Sequence, residues 1–161
     1  MKAEDMFSEY KKMRREMSMI AYQLSHFTGI SEEDIIESMT FSRPDGERVQ
    51  TSGISHKTET IALKVRELVE KENSEWYQYL FDRYQYLDKE ISFFEFGIKE
   101  MGEKKADIIF ELLDGDLTWD SIADQYGVSR SLLGVYRKEA IKELNKKYEM
   151  REEQELRFLL S

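Results

Sequence analysis

Apolar and aromatic residues near the start of the chain recur at Met6, Tyr10, Met13, Met17, Ile20, Leu24 and Phe27, at intervals that alternate between four and three. That spacing lines one stripe of an α-helix and repeats as a heptad seam. The charges between, Lys11, Lys12, Arg14, Arg15 and Glu16, read as its solvated face. Gly29 is a helix stop, and Ser31 followed by Glu32, Glu33 and Asp34 predicts a short second helix through about Met39. From Thr40 to His56 the periodicity gives way to Ser42, Arg43, Pro44, Asp45, Gly46, Thr51, Ser52, Gly53 and Ser55, residues of turns and caps, so residues 40–56 are expected to form a mobile loop.

A long helix is predicted next, with Ile61, Val65, Leu68, Trp76, Leu80, Tyr84, Leu87, Ile91, Phe94, Ile98 and Met101 on its seam and Glu72 interrupting it. Tyr-Gln-Tyr-Leu occurs at 77 and again at 84, one heptad apart. A helix from Lys57 to Glu100 would be about 66 Å long at ~1.5 Å per residue, too long to stand without a partner. The N-terminal helix can pack antiparallel against its first part, because the intervening loop lets the chain turn back. Tyr77, Tyr79, Phe81, Tyr86, Phe93 and Phe96 lie off the seam, and a helix apolar on more than one side packs on more than one neighbour. The coiled region is therefore expected to make a subunit interface as well, giving a homo-oligomer.

After Met101 and Gly102 the long seam yields to three shorter units. The first is predicted from Lys104 to Leu113, with Ile108, Ile109, Leu112 and Leu113 inward. Thr118 caps the second, from Trp119 to Tyr126. Gly127 breaks it, Val128 plugs the core, and Ser129 caps a third that runs at least to Lys147. Leu117, Thr118, Ile122, Ala123, Gly127, Val128, Ser129, Leu133 and Tyr136 meet the steric demands of a helix-turn-helix: a small residue where the helices cross, a glycine in the turn, apolar groups inside. The fold class expected is all-α, a long antiparallel helical hairpin followed by a C-terminal helix-turn-helix domain. Residues 1–101 would be the coiled oligomerisation region, 102–147 the helix-turn-helix and 148–161 a helical tail, its charge run from Arg151 to Glu155 solvated.

Charge sharpens this picture. The whole chain of 161 residues carries a net charge of −9, which argues against indiscriminate coating of nucleic acid. Yet between Gly127 and Lys147 the cations Arg130, Arg137, Lys138, Lys142, Lys146 and Lys147 outnumber Glu139 and Glu143. The outward side of the third helix would present Ser129, Arg130, Ser131, Gly134, Val135, Arg137, Lys138 and Lys142 to a duplex. Arg130 and Ser131 are placed for base edges in the major groove and Val135 for a thymine methyl. Arg137, Lys138 and Lys142 would hold phosphates, with Thr118 and Trp119 anchoring the backbone from the second helix.

Other chemistry finds little footing. There is no cysteine, so disulfides and thiol nucleophiles are excluded, and His26 and His56 lack the spacing of a metal site. No phosphate loop or nucleophile motif is present, so no enzyme activity and no cofactor are expected. No run approaches a membrane span and Met1 to Lys12 lacks a signal peptide's apolar stretch, so a cytoplasmic location is expected.

Leu117, Thr118, Ile122, Ala123, Gly127, Val128, Ser129 and Arg130, with Ala140, Ile141 and Leu144, resemble region four of bacterial sigma factors, a module that binds promoter DNA. Together with Arg48, Val49, Gln50, Thr51, Ser52 and Gly53, to which composition alone assigns no role, and the long heptad helix, the stretch from Arg48 to Lys147 is similar to phage proteins of the RinA and ArpU type. That resemblance implies a late-gene transcriptional activator acting on double-stranded promoter or operator DNA, with host RNA polymerase as a possible further partner. Gly134 and Tyr136 depart from the sigma pattern, which has larger polar and aliphatic residues there, and the Gly29–Met39 segment is an addition. Two other readings compete: a DNA-packaging protein like a phage small terminase subunit, whose DNA-binding unit usually comes first, and a coiled-coil adaptor that binds protein.

Overall fold

A computed structural model describes residues 2–34 and 54–161, with the side chains of the second stretch described from Ala62 onward. The fold is all-α. The described helices are α1 (Ala3–Ser25), α2 (Ile54–Lys99), α3 (Glu103–Asp114), α4 (Trp119–Tyr126) and α5 (Arg130–Leu160). The expected short helix begins as a turn at Glu32–Asp34, where the Ser31 hydroxyl accepts the Asp34 N–H at 3.2 Å; its remainder and most of the 40–56 loop lie outside the described residues. Ile54–His56, expected to close that loop, are already helical.

The chain divides into two compact units, residues 1–19 with 85–161, and residues 20–84, so α1 and α2 each contribute to both. In the 20–84 unit the end of α1 and the first part of α2 pair antiparallel. Phe27 meets Tyr77 edge-on at 5.2 Å, and the Ile30 N–H donates to Asn73 Oδ1 at 2.5 Å. Here the seam departs from expectation: Leu68 and Trp76 are exposed, while Val65 and Leu80 are buried and Val69 and Asn73 are half-buried. Val65, Val69 and Asn73 follow one another at intervals of four, and the polar Asn73 supports the backbone beyond Gly29. Hydropathy favoured the larger Leu68 and Trp76, but the inward stripe includes Asn73, which the Ile30 backbone engages.

In the other unit, Phe7 and Tyr10 of α1 each pack on Phe94 of α2 at 5.3 Å. The Tyr10 hydroxyl donates to Glu95 Oε1 at 2.6 Å, and Arg14 donates to the same oxygen at 2.7 Å. Met6, Leu87, Ile91, Phe94 and Ile98 are buried there, as the seam predicts. A second side of α2 is covered by the distal half of α5. Leu144 lies against Gly97, Lys147 pairs with Glu100, Tyr148 meets Phe93 at 5.2 Å, Arg151 pairs with Glu90 at 3.1 Å, and Glu155 with Lys89 at 3.9 Å. From Lys147 to Glu155 along α5 the partners on α2 fall from Glu100 to Lys89, so these helices are antiparallel.

Two readings change as a result. The off-seam Phe93 finds its second neighbour in α5 of its own chain. Arg151, read as part of a solvated tail, instead sits between Phe93 (4.5 Å) and Tyr148 (5.0 Å) and pairs with Glu90, whose side chain is only 8% exposed. Sequence distance hid that pair. Beyond it, Glu152–Ser161 are exposed, and among the described residues no helix is long and apolar enough to cross a membrane.

Candidate nucleic-acid interface

Three helices enclose a small core in which Ile108 of α3, Ile122 and Ala123 of α4 and Leu133 of α5 are buried, with Leu112, Tyr126, Val128 and Tyr136 packed around them. The Thr118 hydroxyl accepts the Ser121 N–H at 3.2 Å at the start of α4, and the Ser129 hydroxyl accepts the Leu132 N–H at 3.2 Å at the start of α5. Each cap satisfies a donor that the helix itself cannot.

Between α4 and α5 the chain turns in three residues, Gly127, Val128 and Ser129. Gly127 has φ 64, and the Val128 N–H reaches back to the Ala123 carbonyl at 3.0 Å, closing the end of α4. A Cβ on Gly127 would meet nothing within 4 Å, so the glycine is needed for its backbone angle and not for space.

At about 100° per residue, Ser131, Val135, Lys138 and Lys142 fall on the side of α5 opposite the buried Leu133, Ala140 and Leu144, and all four are exposed. Gly134 borders this strip. A Cβ there would stand 3.9 Å from Trp119 Cζ3, an ordinary contact distance, so the indole, itself 37% exposed, lies beside α5 with room for a methyl group. Glu139 is engaged by Lys105 at 3.2 Å and Glu143 by Lys146 at 3.0 Å. The Lys146 ammonium holds the Glu143 carboxyl below its ordinary value, helped by the charges of Lys142 and Lys147. Lys138 and Lys142 are left without an ion pair among the described residues. The result is a cationic strip with one apolar member, Val135.

The chain matches no protein family, no curated protein and no solved structure.

The ten residues singled out from the sequence do not form one surface. Thr118 and Ser129 act at helix starts through their hydroxyls, while both remain exposed. Arg130 leans toward α4, its guanidinium 3.6 Å from Asp120, an exposed pair of small energy that a competing anion can displace. Arg137 lies one turn beyond Leu133 and its guanidinium stands 5.5 Å over the Phe7 ring of α1. The helix period thus turns it toward α1 and away from the strip. Sequence reasoning passed over Asp120, Phe7, and Asn145, whose Oδ1 accepts the Ala3 N–H at 3.0 Å. Lys11, read from the sequence as part of a solvated face, donates to the Asp114 carbonyl at 2.7 Å. Asp120 was within reach, being an acid in the first turn of α4. The α1 contacts carry no local signal, since they join residues more than a hundred positions apart.

Proposed function

We propose that this chain is a sequence-specific DNA-binding transcriptional regulator of the phage or prophage late-gene type, with α4 and α5 working as a helix-turn-helix. The observation that carries the reading is the exposed strip Ser131, Val135, Lys138 and Lys142 at the start of a helix presented by a three-residue turn. A helix so placed suits the major groove of duplex DNA, and the outward N-terminus of α5 adds the partial positive charge that attracts phosphate.

Roles follow from position. Ser131 and Val135 face base edges, Lys138 and Lys142 hold phosphates, and Arg130 exchanges Asp120 for a base edge. Thr118 and Trp119 brace the adjacent backbone. Arg137 is given a structural part against Phe7 in place of a phosphate contact. The chain acts without cofactor or catalysis, in the bacterial cytoplasm, as an oligomer on promoter or operator DNA, where host RNA polymerase is a candidate neighbour.

The test is binding to DNA from the chain's own operon against random duplex, over a range of salt. Arg130→Ala should weaken cognate binding by about 1–3 kcal/mol and relax preference at one base pair, whereas Lys142→Ala should weaken all duplexes alike and lower the salt slope by about one. Equal losses on cognate and random DNA for both variants would remove the assigned roles.

A protein-binding adaptor is the second reading, favoured by the exposed apolar Leu117, Trp119 and Val135 of the helical trio. It takes the lead if the intact protein fails to retard any of these duplexes at low salt.

A further inference from the structure

Glu90 is the one charged side chain buried among the described residues. Its carboxylate meets Arg151 at 3.1 Å, and the guanidinium is held between the rings of Phe93 and Tyr148. Arg151 Nη1 and the Tyr148 hydroxyl are buried beside it without a protein partner, and the burial together with Glu90 pushes the Tyr148 hydroxyl up to about 12. This is an expensive arrangement for stability alone, because well-packed apolar residues in place of a buried ion pair are commonly as stable or more so. The best-attested use of such a pair is to choose one register among several.

α2 presents a choice that needs making. The row containing Phe94 faces α1, and α5 meets α2 through Lys89, Glu90, Phe93, Gly97 and Glu100, a side on which Phe93 and Gly97 alone among these contacts carry apolar packing, so packing by itself distinguishes registers one turn apart only weakly. A slide of one turn moves the neighbour by about 5.4 Å. α5 is continuous from Arg130 to Leu160, so its position at Arg151 is carried without a joint to Ser131, Val135, Lys138 and Lys142.

We infer that Glu90 and Arg151 are positioning residues that lock the register of α5 on α2 and thereby set where the strip beginning at Ser131 stands. The register half rests on the packing alone; the consequence for DNA rests on the function proposed above. Glu90 and Arg151 touch no nucleic acid in this scheme.

The experiment exploits the absence of cysteine. In the full chain, Lys89→Cys is combined in turn with Glu155→Cys, Glu152→Cys and Leu159→Cys, and each pair is treated with a short bis-maleimide, in the native background and in one carrying Glu90→Leu with Arg151→Leu. The native background should cross-link at 155 with several-fold higher yield than at 152 or 159. The double-leucine background should keep its helical circular dichroism and cross-link at 152 or 159 with yields comparable to 155. Cross-linking confined to 155 in both backgrounds overturns the inference, and so does loss of helix, which would show the pair holding the fold together instead of selecting a register. The cross-links need no DNA, so they are unaffected if the proposed function fails. If register slips while the cognate-to-random binding ratio stays at its native value, the link from register to reading is overturned.

Discussion

Two helical glycines illustrate how a single position can demand opposite outcomes. At Gly97 a Cβ would collide with the Leu144 side chain, which rests against the glycine. Gly97→Ala should therefore destabilise the protein by about 1–3 kcal/mol, the usual result of overpacking. Gly134 has a helical backbone and only Trp119 at 3.9 Å near its absent Cβ. Gly134→Ala should raise stability by about 0.5–1 kcal/mol through helix propensity. Chemical denaturation of both variants checks the contrast, and equal effects would contradict it. Tyrosines supply a second residue-scale expectation. Burial first, then Glu95 for Tyr10 and Glu90 for Tyr148, pushes both hydroxyls up to about 12. An unfolded tyrosine ionises near ~10, so the folded chain keeps protons that the unfolded chain has lost across that interval. Stability from this source is complete below about pH 10 and is lost as pH rises through about 12. Urea midpoints measured across that range should fall, and Tyr148→Phe should flatten part of the decline; a native midpoint that stays level through about pH 12 rules the account out.

Elements with local signals were the most legible. Trp119–Tyr126 was readable because a threonine cap, a glycine stop and an apolar pair all agree over eight residues, and the α5 start was readable from Ser129. Ser129→Ala should cost about 1 kcal/mol by leaving the Leu132 N–H without its hydroxyl partner, while Ser129→Gly should cost only a few tenths. Thermal unfolding of the pair separates cap loss from a general effect of removing the side chain. Less legible was the inward stripe of α2 before Leu80. Periodicity alone cannot say that Asn73 faces inward, since its reason for doing so is the backbone of Ile30, 43 residues away. The strip on α5 was legible except at Arg137. Its charge was evident, but its direction depended on where Phe7 would come to rest.

For the molecule as a whole, the off-seam aromatics led to the expectation of a subunit interface, and α5 now accounts for Phe93 within the chain. Tyr79, Phe81 and Phe96 remain about half exposed, at 58%, 40% and 53%. Scattered apolar groups on a surface are ordinary, but large aromatics on one long helix are the kind of surface that self-association covers. Sedimentation equilibrium at tens of micromolar should show an oligomer, and Tyr79→Ser with Phe96→Ser should shift it toward monomer. A native chain that sediments as monomer throughout would show that α5 satisfies enough of this surface on its own.

What the amino-acid order determined by itself were matters of local chemistry: helical class, the caps at Thr118 and Ser129, the turn at Gly127 and the excess of cations after it. These follow from the 3.6-residue period and from groups within one turn of each other. Only the tertiary structure decided that α5 covers the second side of α2, that Arg151 is paired and buried, and that Arg137 turns to α1 while Lys138 and Lys142 stay outward. Such choices depend on contacts between residues far apart in the chain, where several packings satisfy the same hydrophobic pattern and only the simultaneous fit of side chains and buried charges distinguishes them.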